Sequence, residues 1–321
     1  MKQLEGMHHV TCITQDAEAN HDFYTRILGM RLLKKTVNQD DVVAYHTFFG
    51  DEMASPGNDL TFFDFQGIQK SRRGTNSVTS VGLRVPSDEA LTYWMERFDR
   101  FGVSHQGIDT QFNYKGVRFE DPDGLRLRLI SDTNGGGFEA GVPNTYSDVP
   151  KDYAIVGLGT LELTVRHKDI QAKFLTQDLL FTHSETEGSI DRYITGPGGN
   201  SSSIHIIQDQ TQANEVQGYG AVHHIALRVS DDVTLHTWLD VFRSKMYPNS
   251  GFVQRHYFQS VYTRIGTILY ELATDSPGFT VDESIEHLGE HLSLPPFLEH
   301  KRASIEAQIR PFNTERIHYD S

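Results

Sequence analysis

The sequence predicts an α+β fold made of four βαβββ modules arranged in two halves. Three observations carry that expectation. The 321-residue length is about twice that of an ordinary domain, so an internal duplication is the natural first question. The stretch from Ser80, SVGLRVPSDEALTYWMERF, matches the stretch from His224, HIALRVSDDVTLHTWLDVF; each reads as a short apolar strand, a polar break and an amphipathic helix. Between the two halves runs a Gly-, Pro- and polar-rich segment, residues 133–154, that includes Gly135-Gly-Gly137.

The elements follow in order. Strand 9–14 leads into a helix whose apolar positions are Phe23, Tyr24, Ile27 and Leu28, stopped by Gly29. In the second module Ser87 caps a helix that buries Leu91, Trp94, Met95 and Phe98. Asp121-Pro-Asp-Gly124 then turns the chain into the strand 124–132. In the third, strand 160–165 precedes a helix carrying Ile170, Phe174, Leu175 and Leu179. In the fourth, Asp231 or Asp232 caps a helix with Leu235, Trp238, Leu239 and Phe242, and the strand 266–275 parallels 124–132 with one extra residue. The modules are expected near 5–66, 77–132, 155–209 and 220–275. The corresponding division is an N-terminal half 1–132, a linker 133–154, a C-terminal half 155–275 and a closing segment 276–321.

Composition narrows the partners. Forty-three acidic against 29 basic residues give a net charge of −14 with no basic run, a surface that repels phosphate backbones and anionic lipid heads. Nucleic acid and membranes are therefore not expected as partners. The lone cysteine, Cys12, allows no internal disulfide and sits in an apolar run as a small core residue, which fits a reducing cytoplasmic setting. Residues 1–10 lack the basic and long apolar regions of a secretory signal, and nowhere do 18 apolar residues run together.

Sixteen histidines are present. Scattered ones (His21, His46, His105, His167, His183, His236, His300 and His318) read as surface or satisfied core groups. Two doublets differ, because His8-His9 and His223-His224 both open the first strand of a module. Strand side chains alternate faces, so one member of each pair is expected to face the interior. Glu271 is a lone carboxylate between apolar neighbours on the last strand of the fourth module. A charge there costs several kcal/mol unless it is paired or metal-bound; the bland alternative is a solvent-facing position on an edge strand. Another string, His287-Leu-Gly-Glu290-His291, has the H-x-x-E-H form of a zinc peptidase, but Pro295-Pro296 follows closely, and a solvated or capping role is expected.

Taken together, the four modules resemble the vicinal oxygen chelate superfamily, which includes glyoxalases, bleomycin-resistance proteins and extradiol dioxygenases. The resemblance covers almost the whole chain and implies modules paired into half-open barrels around a metal. MHHVT, VHHIAL, Arg255-His-Tyr-Phe-Gln-Ser-Val-Tyr262, Tyr270-Glu-Leu-Ala-Thr-Asp275 and the tail from Leu294 are similar to the branch that opens hydroquinones. That likeness implies His9, His224 and Glu271 as metal ligands contributed by the first and fourth modules. It also implies His8, His223, Arg255 and Tyr262 as groups around the substrate. Two imidazoles and one carboxylate on one face leave adjacent sites open, the set suited to Fe(II), with Mn(II) as a substitute. The expected partners are a small aromatic diol and O2, and the fold also suits pairing into a homo-oligomer through sheet edges. Two alternatives share the fold: a metal-dependent glyoxalase or isomerase, for which Asp64 is the one carboxylate near a fourth ligand position, and a protein that sequesters small aromatic compounds.

Overall fold

A computed structural model describes residues 3–315; His318 lies outside them. The first module comprises β1 (Met7–Thr14), α1 (Ala17–Asp22), β2 (Arg31–Val37), β3 (Tyr45–Gly50) and β4 (Asp59–Asp64). The second comprises β5 (Ser77–Val85), α2 (Asp88–Phe101), β6 (His105–Gln111), β7 (Tyr114–Glu120) and β8 (Arg126–Ser131). The third comprises β9 (Leu158–Val165), α3 (Lys168–Lys173), β10 (Thr182–Glu187), β11 (Ile190–Ile194) and β12 (Ser203–Gln208). The fourth comprises β13 (Val222–Val229), α4 (Asp232–Ser244), β14 (Val253–Gln254), β15 (Gln259–Ile265) and β16 (Ile268–Thr274).

These strands form two eight-stranded sheets. One runs β14-β15-β16-β13-β1-β4-β3-β2 and joins the fourth module to the first; the other runs β10-β11-β12-β9-β5-β8-β7-β6 and joins the third to the second. Within each module the first strand lies parallel to the last, and the remaining neighbours are antiparallel. The sheets are thus mixed rather than antiparallel throughout, because the helix after each first strand is a crossover that returns the chain in the same direction. Each sheet is centred on an antiparallel pair of first strands, β1 with β13 and β5 with β9. At the β5–β9 crossing Gly82 is required sterically, since a Cβ there would lie 2.5 Å from the Thr160 carbonyl oxygen.

The helices cover the apolar faces. Leu91, Trp94 and Phe98 of α2, and Leu235, Trp238 and Phe242 of α4, are fully buried, as their spacing predicts. Ser87 caps α2 by accepting from the Ala90 amide, and Asp231 rather than Asp232 caps α4 by accepting from the Thr234 amide. The helices of modules one and three widen at their ends into π turns, closed by Leu28 N–H on the Phe23 carbonyl and by Leu179 N–H on the Phe174 carbonyl.

The segment after β16 straps the outer edge of the first sheet. Leu294, Leu298, Ile305, Ile309 and Phe312 pack with Ala17, Val37 and Tyr45. Cations on β2 hold the strap down. Lys34, wholly buried, donates to the Phe279 carbonyl and pairs with Asp282 at 2.6 Å and with Glu283, while Lys35 donates to the Phe312 carbonyl. Lys34→Met should cost about 3 kcal/mol, the low end for breaking a buried pair because Asp282 is partly solvated. Urea unfolding measures this, and an unchanged midpoint would refute the clamp.

Candidate metal centre

Two irregularities in the β1–β13 pair shape the site. Between the pairs Met7–Leu227 and His9–Ala226, β1 carries one extra residue, His8. Between Thr11–His224 and Cys12–Val222, β13 carries one extra residue, His223. Each histidine doublet is therefore a β-bulge, and the two are related by the approximate twofold axis between the strands. Strict face alternation fails at both doublets for this reason. His8 Nδ1 lies 2.8 Å from His9 Nδ1, and His223 Nδ1 lies 2.8 Å from His224 Nδ1.

His9, His224 and Glu271 converge. Their exposures are 1%, 5% and 0%, which excludes the solvent-facing alternative for Glu271. Glu271 Oε2 is 3.1 Å from His9 Nε2 and 2.9 Å from His224 Nε2, and the two nitrogens are 3.2 Å apart. Bonds of roughly 2.1 Å meeting near right angles would set donors about 3 Å apart, so the triangle has the size of one face of a metal's coordination shell. Among the described residues no other cluster of three such groups has this convergence. His287 and Glu290 of the H-x-x-E-H string instead pair with each other at 2.9 Å, and no α-helix forms there.

The hydrogen-bond partners assign the tautomers. His8 Nε2 donates to the Thr274 carbonyl at 3.1 Å. Burial, and after it the neighbouring His9, push the His8 pKa down to about 3, so the ring is neutral and its Nδ1 is an acceptor. His9 must then donate from Nδ1, which leaves an unprotonated Nε2 aimed at Glu271. His223 is likewise held near a pKa of 3 by burial and by His224. It can accept from His224 Nδ1, which leaves its own proton on Nε2. Burial opposes ionisation of Glu271, while positive charge or a donated proton on the side of His9 and His224 holds the carboxyl well below its usual range; with both Nε2 atoms unprotonated, a bound cation would take that part. Ser260 Oγ donates to the other carboxylate oxygen, Oε1, leaving Oε2 with only the imidazoles. Lone pairs this close repel unless a cation lies among them. The donor set fits a divalent metal.

A cavity of about 320 Å³ opens onto this triangle. His9, His223 and His224 form its floor, and Phe48, Phe63, Tyr257 and Phe258 supply apolar walls. Arg255 and Tyr262 stand on one side, with the Arg255 guanidinium 5.7 Å from the Tyr262 ring and anchored by Asp40 at 2.8 Å. Burial, and then the Glu271 charge, raise the Tyr262 pKa, so its phenol keeps its proton. His8 does not line the cavity; it stands behind His9.

Comparison with known proteins identifies the family. A model of the Glyoxalase/Bleomycin resistance protein/Dioxygenase superfamily matches residues 6–129. The chain is 44% identical over 315 residues to the "Putative ring-cleaving dioxygenase MhqA" of Bacillus subtilis (strain 168), covering 96% of this chain and 99% of that one. The chain belongs to that superfamily, among its ring-cleaving dioxygenases. It is also 32% identical over 305 residues to the "Chlorohydroquinone/hydroquinone 1,2-dioxygenase" of Sphingobium indicum, covering 93% and 94% of the two chains. A crystal structure of a "putative dioxygenase" from Bacillus subtilis superposes with a TM-score of 0.90 at 34% identity, covering 99% of this chain and 100% of that one.

Within this superfamily fold the strand register shows what replaces the ligands elsewhere. Ala226 pairs with Glu271, and the twofold-related pair is Thr11 with Thr61. Thr61, not Asp64, therefore occupies the counterpart of Glu271. Asp64 instead accepts from the Ala17 amide at the start of α1, away from the cavity. In the second sheet Arg128 stands where Glu271 stands in the first, tied to Asp109 and Gln111. Arg118 and Glu162 complete that network through a bidentate pair at 2.9 and 2.7 Å.

One residue read from sequence as mundane belongs to this cavity. His46 on β3 lines its wall between Phe48 and Phe63. Its membership in a ligand-bearing module was a usable signal, but a histidine in the run Tyr45-His-Thr-Phe-Phe49 shows its facing only once the register with β4 is known.

Proposed function

We propose that the chain is a non-haem Fe(II)-dependent dioxygenase that opens hydroquinone- or catechol-type rings with O2, its metal held by His9, His224 and Glu271. The observation that carries this reading is the three-donor triangle with a threonine at the fourth ligand position. A facial set of two imidazoles and one carboxylate leaves room for a substrate oxygen and O2 together. The alignment with a hydroquinone dioxygenase supports the substrate class.

Iron held there would supply Lewis acidity and the capacity to pass electrons between ring and O2. The chain's own residues bind and orient. Phe48, Phe63 and Phe258 give a flat ring an apolar slot and exclude water. Arg255 and the protonated Tyr262 offer donors to substrate oxygens, and the His223 Nε2–H offers another near the open face. His8 works through His9 by fixing its tautomer. Of the segment 276–321, the described part, 276–315, acts as a closing segment, consistent with the strap on β2.

Protein reconstituted with Fe(II) under anaerobic conditions should consume O2 on addition of a hydroquinone or a catechol. Stoichiometric iron with no uptake for either class would reject the reading. The pH dependence of metal content follows from the ligands. Burial lowers the His224 pKa below 6.5, so that nitrogen stays free for metal as pH falls through the ordinary imidazole range. Protonation of His224 should therefore displace iron only below pH 6.5. A midpoint of loss above 6.5 would contradict that sign.

A further inference from the structure

We infer that His46 binds the hydroxyl of the aromatic substrate that is not on the metal. This rests on the dioxygenase reading above and deepens it. The β3–β4 register pairs Phe48 with Thr61 and His46 with Phe63, while the β15–β16 register pairs Tyr262 with Glu271 and Ser260 with Ala273. Across the twofold axis, His46 is thus the counterpart of Ser260, as Thr61 is of Glu271. On the ligand side, short Ser260 donates to the carboxylate and is fully buried. On the open side, His46 Nε2 lies 3.0 Å from Thr61 Oγ1, which lies 2.8 Å from Thr11 Oγ1. An imidazole is longer than a serine hydroxymethyl; its Nε2 tip rests on Thr61 and the side of the ring lines the cavity wall.

The anchoring uses only Nε2, and Nδ1 has no hydrogen-bond partner among the described residues. Phe48 and Phe63 pack on the ring at centroid distances of 4.0 and 4.4 Å and fix its plane. A half-buried imidazole with one nitrogen tied and the other free, lining an otherwise aromatic wall, is a preformed polar contact for a flat apolar ligand. Thr61 holds the position symmetric to a metal ligand, and His46 stands behind Thr61 as Ser260 stands behind Glu271. His46 can hold either tautomer, with the Thr61 and Thr11 hydroxyls turned to match it. With the proton on Nδ1 the ring is a donor to a substrate oxygen; with the proton on Nε2 it is an acceptor for a phenol.

Binding measured without oxygen separates this contact from turnover. Fe(II)-loaded protein is titrated anaerobically with hydroquinone and with phenol, which lacks the second hydroxyl. The wild type should prefer hydroquinone, and His46→Phe should weaken hydroquinone by about five- to tenfold, the value of one hydrogen bond, with phenol unchanged. His46→Asn, whose amide reaches the position of Nδ1, should restore part of the preference. His46→Gln, whose amide reaches the position of Nε2, should not. Rescue by Gln alone would mean that His46 merely props Thr61. That outcome, an unchanged hydroquinone-to-phenol ratio in His46→Phe, or no preference in the wild type would each overturn the inference. Oxygen uptake by the wild type reports separately on the parent reading: a diol preference that depends on His46 without any uptake would leave the contact standing and reject the dioxygenase.

Discussion

Glu271→Gln is expected to abolish oxygen uptake and to weaken iron binding by more than about a hundredfold. Partners one layer behind the ligands already cost about 10–100-fold when removed, so the loss of a ligand charge must exceed that. The carboxylate is the only anion in the triangle and is fully buried, so its negative charge is what a divalent ion would be drawn to. The amide is nearly isosteric and can still accept from Ser260, so the strand pairing of β15 with β16 should survive. Thermal unfolding tells metal binding from folding. The wild-type Tm should rise on adding Fe(II) or Mn(II), because a ligand that binds only the native state stabilises it by mass action. The variant should unfold at a Tm that ignores either metal. A variant that keeps the metal-induced shift would remove Glu271 from the coordination shell.

His8→Phe should weaken metal binding by about 10–100-fold while leaving the substrate KM of the loaded enzyme nearly unchanged. The ring fills a similar volume beside Phe258 but removes both the donor to the Thr274 carbonyl and the acceptor for His9 Nδ1. His9 is then free to take the other tautomer or to swing, and its Nε2 is no longer reliably a lone pair. Because His8 stands outside the cavity lining, substrate contacts should be preserved. Competition with a chelator reads the first effect and steady-state kinetics the second. A superimposable chelator curve would reduce His8 to packing, and a large KM change with unaltered metal affinity would return it to the substrate.

Much of this was legible in the sequence, and what was legible was local. The modules could be read because helix and strand periodicities repeat within some fifty residues: Leu91, Trp94 and Phe98 recur as Leu235, Trp238 and Phe242, and all six are buried. Glu271 could be read because an isolated carboxylate among apolar strand neighbours has few inexpensive explanations. What could not be read depends on distant pairing. The segment Arg31-Leu-Leu-Lys-Lys35 looks half-exposed, yet all five residues are buried, because the tail lies across them more than 240 positions later. The doublet bulges depend on β1 meeting β13, and no rule internal to either strand announces them. Asp64 drew attention by chemistry, whereas Thr61 holds the symmetric position by register.

The sheet that joins the first module to the fourth has a bearing on the order in which the molecule is built. Modules two and three are neighbours in the chain and form their own sheet, so they can assemble while the rest is still being synthesised. The strand bearing His9 leaves the ribosome early and must wait some two hundred residues for the strand bearing His224. Until residue 271 has emerged, the three donors His9, His224 and Glu271 cannot be brought together, so the proposed metal centre is completed only near the end of synthesis.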